Sequence, residues 1–589
     1  MLFTLLNWLY ILITCFICGF FVLTRIYKGK VSFGGSVMCG IAVLTAYSEY
    51  FSLIEGVGIA ANAVLVVACL VFAVTDREKI ADLSKSYISR LKNMNKGSLI
   101  KAAFIALSAA VILVCAYFTA ASAFTYDTGT YHAQSIHWIE SYGVVKGLAH
   151  MQTRLGFNNS YFALCALYSF HFFGRSMHAL SGFLAAFVMV YCLCGYARLF
   201  TKDADGKLKI RGLRVSDFVR VAPFAYFMII ATEITSPATD FGVILMIIWL
   251  IIRWIECIED GDDQISVFAL LSVFSVFLIT VKLSVGVLAL VTIWPLVYLI
   301  REKKIADIFK YAIYGIVLTL PFFIRNYLIT GWLVYPFPGI NLFNPDWKVP
   351  LEGVRHEADE VVVWARYTKD TALIDQGIRE WFPVWWQEQG SANRWLSVSA
   401  FVGFLVTLAG MLPTPVFKML NKIYIFTGGI LLVCFAFFML SAPSNRFGYA
   451  YILTLPLYGA GYFCLKLIPG FIKSKKGEGT YRAGQVIRII MTAVVIIVTL
   501  TGFLKGLRMF ASDDKRYALD TGMDGCLVSQ RDYPEADSGS RDWEGMTIYY
   551  PVIEGDQIWY HDFPAILYGG NLDGVERRGD SVRDGFRLK

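Results

Sequence analysis

The sequence predicts a mainly α-helical, multi-pass membrane protein with a small α+β domain at its C-terminal end. The first observation is composition, because 57% of the 589 residues are hydrophobic and only 17% are charged. A soluble protein of this length would carry many more charges on its surface. The second is a series of apolar runs that are long enough to cross a bilayer. The third is the end of that pattern near residue 509, after which the sequence is typical of a soluble fold.

The apolar runs predict about fourteen membrane spans in a helical bundle. The first run lacks a basic leader and a clean small-residue cleavage site, so we expect a retained span rather than a signal peptide. The predicted spans cover residues 2–24, 32–54, 57–75, 100–122, 178–198, 217–234, 236–256, 264–281, 284–300, 309–329, 396–412, 423–441, 447–469 and 485–505.

Loops with clustered lysine and arginine set the predicted orientation, because such loops face the cytoplasm. For all of them to lie inside, the polar run at 158–173 must be a re-entrant or surface-lying helix rather than a span. If that run crossed the membrane instead, every later loop would change sides. The basic loops lie at residues 25–30, 77–101, 202–220, 301–304 and 473–476.

This orientation places the polar features on the extracytoplasmic side, which favours an active site there. Within the membrane module at 1–508, the first outer loop covers residues 124–160. A long outer loop at 331–395 is rich in tryptophan and predicts short helices on the outer surface. The small outer domain at 509–589 contains MTIYYPVI, the turn EGDQ and the segment IWY, which together predict a hairpin.

Asp127 is the best catalytic candidate, because a carboxylate directly after a span lies where burial and nearby cations can tune it as a base. The alternative is a helix cap for the run YHAQSIHWIESY. His132, His137 and Glu140 follow on that run and are predicted supporting groups. The histidine spacing of five does not match the i, i+4 zinc pair. A divalent ion held by Asp127 and His132 stays open.

Three cations near the outer ends of spans form a second set: Lys282 in VKLS, Arg325 in PFFIRNY and Arg446 in SNRFGY. A charge at membrane depth usually faces a water-filled cavity or a partner, and a phosphate group would satisfy all three. Arg154 of the first outer loop could join them. For Lys282, extension of the side chain to the membrane surface is an equal alternative.

Glu233 and Asp240 flank ITSPAT at another outer boundary and are either hydroxyl-binding groups or helix caps, with the cap favoured for Asp240. The twelve cysteines have no spacing that suggests zinc or a disulfide framework. The chain has no phosphate-binding glycine loop, nucleotide-fold fingerprint or serine nucleophile elbow. It also has no basic, aromatic-interleaved platform for nucleic acid.

The overall arrangement resembles the GT-C class of polytopic glycosyltransferases. The resemblance rests on the acidic residue after a span, the later outer segment RNYLITGWLVYPFP and the small outer C-terminal domain. More narrowly, YDTGTYHAQSIHWIESYGVVKGLAHMQTRLGFNNSYF, SAPSNRFGYAY and RRGDSVRDGF are similar to a bacterial multi-pass family without an assigned activity. The class implies that Asp127 is the general base and that Lys282, Arg325 and Arg446 hold a carrier phosphate. Many members place two adjacent acids in this loop, whereas here Thr128 follows Asp127, which leaves the base and any metal requirement open.

The resemblance therefore implies an inverting glycosyltransferase of the bacterial plasma membrane. Its donor would be a polyprenyl-phosphate-linked sugar, and its acceptor a glycan, lipid or protein of the cell envelope. Two further functions stay open: a polymerase or ligase of surface polysaccharide that uses polyprenyl-diphosphate-linked chains, and a transporter or flippase. A non-catalytic envelope assembly factor is the remaining alternative. We expect the lipid bilayer as a partner and name no certain cofactor.

Overall fold

The computed structural model describes residues 1–93, 99–202, 208–210, 212–261, 264–411, 422–467, 504, 521–553, 556–567 and 572–589. These residues form a mainly helical structure with a small C-terminal β region. The predicted mainly α-helical class is confirmed, whereas the GT-C-like arrangement of the bundle stays a prediction. The α-helices are α1 (Leu2–Ile26), α2 (Phe33–Ser52), α3 (Ile59–Thr75), α4 (Arg77–Asn93), α5 (Leu99–Ala121), α6 (Ala133–Tyr142), α7 (Ser160–Tyr168), α8 (Leu180–Ala197), α9 (Val215–Val219), α10 (Ala222–Ile230), α11 (Thr239–Glu259), α12 (Ile265–Val281), α13 (Ile293–Arg301), α14 (Ile305–Thr330), α15 (Leu351–Ala365), α16 (Ile378–Glu388), α17 (Ser391–Met411), α18 (Lys422–Ser441) and α19 (Asn445–Tyr462).

Among the described residues, eight helices are long and apolar enough to cross a membrane, consistent with a multi-pass membrane protein. The number is nine if α3 and the start of α4, which are bent by 76° at their junction, count as one span. The predicted segments at 32–54, 264–281 and 447–469 are the helices α2, α12 and α19, which are not among the eight. The segment at 485–505 lies outside the described residues except for Leu504. The count of about fourteen spans therefore stays a prediction.

Helix α11 lies at the centre of the bundle, because nearly all of its side chains are buried. Helices α1 and α2 cross in direct backbone contact. A Cβ atom added at Gly40 would lie 1.9 Å from the Cys15 carbonyl oxygen, and one added at Gly19 would lie 1.9 Å from that of Ser36. Small residues allow such close approach, which is how helices often pack in lipid.

Helix α7 covers residues 160–168 of the run at 158–173 that the sequence predicts to be re-entrant or surface-lying. All nine of its residues are buried, so the structure contradicts the surface-lying alternative. Before α7, Arg154 pairs with Asp556, and after it, Arg175 pairs with Asp532. Both flanks of the helix thus contact the C-terminal segment, and the re-entrant alternative stays a prediction.

The long outer loop forms the two short helices α15 and α16, as the sequence predicts. The C-terminal region contains β3 (Ser538–Trp543), β4 (Met546–Pro551), β5 (Val575–Arg577) and β6 (Phe586–Leu588), after a short pair β1 (Phe200–Lys202) and β2 (Leu208–Ile210) earlier in the chain. β3 pairs with β4 and β5 with β6, both antiparallel. From residue 521 onward the described residues add a 3-10 helix at Val582–Asp584.

The predicted hairpin partner was wrong. Strand β4 pairs with β3, which precedes it, and not with the IWY segment that follows the turn EGDQ. The loop between β3 and β4 is Glu544 and Gly545, both with positive φ. Two such residues form the type I′ turn that matches the twist of paired strands. The signal for this turn was the Glu-Gly pair between two alternating runs.

The C-terminal region shares one hydrophobic core with the two large outer loops. Trp138 of the first outer loop and Trp332 of the long outer loop lie in the same buried cluster as Ile548 and Phe586. Backbone contacts extend this packing, because the N–H groups of Ile558 and Trp559 both donate to the Gly129 carbonyl, at 2.8 and 2.9 Å. The residues after 521 therefore cover the first outer loop directly.

Candidate functional site

Asp127 lies directly before a π-helical turn at Thr128–His132. The chain enters this turn along a fixed path, because the Thr125 N–H donates to the Ser236 hydroxyl at 2.7 Å. The Asp127 side chain makes no capping hydrogen bond. The structure therefore contradicts the helix-cap alternative for this residue.

Instead, Asp127 forms an ion pair with Arg446. The distance from Arg446 Nη1 to Asp127 Oδ2 is 2.6 Å, and 54% and 24% of the two side chains, respectively, are exposed. Burial raises the pKa of Asp127, but Arg446, His132 and Arg154 together outweigh burial and hold it below its usual value. Asp127 is thus a carboxylate at neutral pH, paired with a cation that a ligand could reach.

Lys282 and Asp240 form a second ion pair beside the first. Lys282 lies at a break in the helical backbone, with extended φ and ψ between the end of α12 and a 3-10 helix at Leu283–Thr292. Its Nζ lies 3.8 Å from the centre of the Phe447 ring, and the Arg446 guanidinium carbon lies 5.0 Å from that centre. The two cations therefore share one aromatic ring, as cation–π contacts allow. The Lys282 ammonium is thus engaged by Asp240 and Phe447.

Arg154 completes the cluster together with a residue that sequence reasoning missed. Arg154 Nη1 lies 3.2 Å from Asp556 Oδ2, and the Tyr126 hydroxyl donates to Asp556 Oδ1 at 2.5 Å. Tyr126 is the chain neighbour of Asp127. The C-terminal region therefore brings a carboxylate to the edge of the site. The sequence indicated only that Asp556 belongs to the turn EGDQ, which did not predict its contact with Arg154.

His132 is buried beneath the carboxylates. Its Nδ1 lies 3.4 Å from the Thr128 hydroxyl, and its ring packs 5.2 Å from that of Phe162. Burial lowers the pKa of His132 to about 4, although Asp127 and Asp240 act in the opposite direction. The imidazole is therefore neutral near pH 7 and can orient its neighbours without adding charge.

His137 and Glu140 hold the C-terminal region instead of joining Asp127. The His137 ring is stacked between Tyr560 and Phe563, with centroid distances of 4.3 and 3.9 Å. The Tyr560 hydroxyl donates to Glu140 Oε2 at 2.5 Å. Burial lowers the pKa of His137 to about 4. These two side chains thus form a docking contact.

The Glu140 contact predicts a pH-dependent attachment of the C-terminal region. Burial raises the pKa of Glu140 from 4.5 to about 7, against the hydrogen bonds from Ser169, Tyr560 and Ser176. A raised folded-state pKa means that stability falls as pH rises from about 4.5 to about 7. The 2.5 pH units between these values correspond to a loss on the order of 3 kcal/mol.

Hydrogen exchange of the backbone amides at 556–567 measures this effect. We expect wild-type protection to fall between pH 5 and pH 8 after correction for intrinsic exchange, and Glu140→Gln to lose that fall. His137 and His171 lie in the same contact. Both histidines are present in the wild type and in the variant, so the difference in protection between the two proteins at each pH reports on Glu140. An identical pH dependence in the two proteins would contradict the assignment.

Arg325 lies in a separate buried cluster inside the bundle. Its Nε donates to Asn158 Oδ1 at 2.9 Å, and its Nη1 donates to the Ser52 hydroxyl. The carboxylate of Glu49 acts on its charge, while both Glu49 oxygens are buried without a hydrogen-bond partner among the described residues. Among the described residues, Arg325 forms no hydrogen bond or ion pair with Lys282 or Arg446. The structure therefore separates Arg325 from the other two predicted phosphate-binding cations.

Glu233 is exposed in the turn after α10, and its carboxylate interacts electrostatically with Arg446. No group of three or more His, Cys, Asp and Glu side chains that could hold a metal ion occurs in the part of the chain that the structure describes. The two carboxylates nearest His132, Asp127 and Asp240, are each paired with a cation.

The structure thus brings six of the sequence candidates into one charged cluster and leaves three outside it. His137 and Glu140 lie in the docking contact, and Arg325 lies in the bundle. Glu233 lies at the edge. The six are Asp127, His132, Arg154, Asp240, Lys282 and Arg446. Phe447, whose ring both cations contact, was not predicted as a site residue, although it directly follows Arg446 in SNRFGY.

Comparison with known proteins matches most of the chain to a family model. The model of a family described as a domain of unknown function, DUF8201, matches residues 1–453. No curated protein matches the chain, and no solved structure matches it. The matched range contains the six clustered residues and ends before the C-terminal region that supplies Asp556.

Proposed function

This chain belongs to the DUF8201 family, and we propose that it is a glycosyltransferase of the bacterial plasma membrane. It would transfer a sugar from a polyprenyl-phosphate-linked donor to a cell-envelope glycan, lipid or protein on the extracytoplasmic face. The observation that carries the proposal is the ion pair between Asp127 and Arg446, with Lys282 on the same Phe447 ring. A base and two phosphate-binding cations are the groups that this reaction needs.

The donor phosphate binds to Arg446 and Lys282 in this proposal. Arg446 is suited to the role because its guanidinium matches phosphate geometry, and more than half of its side chain is exposed. Lys282, which contacts the same Phe447 ring, adds a point charge. Positioned cations of this kind stabilise the charge that builds on a departing phosphate.

Donor binding also prepares the base. In the free protein Arg446 keeps the pKa of Asp127 low, which makes this carboxylate a weak proton acceptor. A phosphate that takes over Arg446 removes part of that effect and adds a negative charge nearby, and both changes raise the pKa of Asp127. Asp127 therefore becomes an effective base only when the donor is in place.

The reaction itself is a single displacement. The acceptor hydroxyl loses its proton to Asp127 Oδ2, and its oxygen forms a bond to the anomeric carbon. The bond between that carbon and the phosphate oxygen breaks, and the polyprenyl phosphate leaves with the bonding electron pair. Arg446 and Lys282 hold this anion. Attack opposite the leaving group inverts the anomeric centre.

In this proposal, the residues around the edge of the charged cluster bind the acceptor. Tyr126, Arg154 and Asp556 form a hydrogen-bonded set beside Asp127, and Glu233 lies exposed near Arg446. Hydroxyl-rich acceptors are bound by such carboxylate and arginine pairs. Because Asp556 comes from the C-terminal region, acceptor choice depends on its attachment.

A transfer assay with purified protein in lipid nanodiscs tests the proposal. Labelled polyprenyl-phosphate-linked hexoses and pentoses are offered with an envelope extract from cells that lack the gene. We expect transfer with at least one donor, and Arg446→Gln should lower kcat/KM by about 10²- to 10³-fold because one stabilising donor group is lost. Arg578→Gln is the matched control, since Arg578 pairs with Asp346 within the outer region. Absence of transfer with every donor, or normal activity in Arg446→Gln, would refute the proposal.

A second candidate is a transporter or flippase of a lipid-linked anion. It is favoured by the helix break at Lys282 and by the buried Glu49 and Arg325 inside the bundle, since transporters use broken helices and buried charges. Movement of the donor between the leaflets of sealed proteoliposomes that contain the purified protein, without sugar transfer, would select this function.

A further inference from the structure

A large cavity lies in the bundle, away from the candidate site. Its volume is about 590 Å³, and its walls come from helices α1, α2, α4, α5, α8 and α11. No residue of the charged cluster around Asp127 lines it. We refer to it as the crevice. Pockets of roughly 300–1,000 Å³ commonly hold a small organic ligand, so the crevice has room for one.

The wall of the crevice is apolar over most of its length. Leu5, Trp8 and Leu12 line it from α1, and Phe183, Phe187 and Val190 line it from α8. Residues 5 and 12 are about two helical turns apart, so the apolar wall follows the helix axis for roughly 10 Å. Such a wall fits a linear hydrocarbon chain that lies parallel to the helices.

One end of the crevice is polar and contains a cation. Arg253 Nη1 donates to Glu256 Oε2 at 3.2 Å, while Glu256 also accepts from Arg220 and Tyr191. An arginine has five N–H donors, and a single hydrogen bond engages those of Arg253 among the described residues. A quarter of its side chain is exposed. Arg253 therefore has capacity for an anionic group.

The residues around this end include more basic than acidic groups. Helix α4, whose Tyr87 lines the crevice, has three basic and two acidic residues over 77–89 and turns away from α3 by 76°. The loop before α2 adds Lys28 and Lys30, next to Ser32 at the same end, while Arg25 is paired with Asp76. Clustered lysine and arginine beside an apolar surface attract acidic lipids.

We propose that the crevice is a binding site for an acidic phospholipid of the surrounding bilayer. One hydrocarbon chain lies along the α1 and α8 wall, and the phosphate lies at Arg253 under α4. The apolar wall accommodates the chain by van der Waals packing, because hydrocarbon that leaves the bilayer gains no hydrophobic transfer energy. The basic end supplies the preference for a negative headgroup. The inference is independent of the proposed glycosyltransferase activity.

Cys194 provides a native probe, because it lines the crevice and is the exposed member of the twelve cysteines. Delipidated full-length protein in detergent is given phosphatidylglycerol or phosphatidylcholine with identical chains. Maleimide labelling of Cys194 is followed by peptide mass spectrometry. Cys464, which is half-buried and does not line the crevice, is the internal reference.

We expect phosphatidylglycerol to slow the labelling of Cys194 roughly ten-fold at a concentration about ten times its dissociation constant. Phosphatidylcholine should protect less, and Arg253→Gln should remove the difference between the two lipids without changing the rate at Cys464. Glu256 keeps Arg220 and Tyr191 in this variant. An unchanged rate at Cys194 with either lipid, or equal protection by both lipids in the wild type, would overturn the proposal.

Discussion

Replacement of Asp127 by asparagine is expected to lower sugar transfer by about 10²- to 10⁴-fold, the usual contribution of a general base. Asparagine has nearly the same shape, and its carbonyl oxygen can still accept from Arg446, so the backbone around Thr128–His132 should not change. It cannot take a proton from the acceptor. The loss should therefore fall on kcat, while donor affinity stays near that of the wild type or improves, since Arg446 loses its charged partner.

The measurement is steady-state transfer with varied donor, accompanied by thermal unfolding of each protein. Asp346→Asn is the matched control, because Asp346 also pairs with arginine in the outer region but lies with Arg578 and Arg587. That control should keep its activity. Normal kcat in a folded Asp127→Asn protein would end the base role, whatever the effect on donor binding.

Removal of Lys282 alone is expected to destabilise the fold by about 3–5 kcal/mol, because it leaves the carboxylate of Asp240 buried without its cation. The two side chains are only 17% and 15% exposed. Lys282→Met combined with Asp240→Leu removes both charges, and stability should return close to the wild-type value. The double variant therefore separates the stabilising role of the pair from its role in the reaction.

Activity of the double variant decides what Lys282 does. If Lys282 holds the donor phosphate, the stable double variant keeps only a small part of the wild-type activity, and its KM for the donor rises. Recovery of both stability and activity would show that the pair is only structural. Lys310→Met is the control for loss of a cation, since its pair with Asp307 is exposed and such pairs contribute at most about 1 kcal/mol.

The predicted topology assigns most members of the charged cluster to one face, and the structure brings these side chains together. Asp127, Lys282 and Arg446 follow the ends of three different apolar runs, and charge bias places those ends together. Arg325 follows the same rule and yet lies elsewhere. Hydropathy gives the depth of a residue but not its direction around the bundle, and Arg325 of α14 faces Asn158 and Ser52.

The role of the C-terminal region could not be predicted, because its contacts are remote in sequence. Asp556 lies 402 residues from Arg154, and neither residue lies in a local sequence pattern that predicts their contact. His137 and Glu140 were similarly ambiguous. A histidine and an acid on one helix fit catalysis and docking equally, and only the position of Tyr560 between them distinguishes the two.

The ribosome synthesises the first outer loop long before the C-terminal residues that cover it. Gln134 donates to the backbone carbonyls of Trp559 and Asp562, over 400 residues later in the chain. At a synthesis rate of about 5–20 residues per second, the loop waits roughly 20–80 s on the ribosome for these partners. During that interval the polar and aromatic groups of the loop are uncovered, so the nascent chain depends on the surrounding membrane or on chaperones until Trp559 and Asp562 emerge.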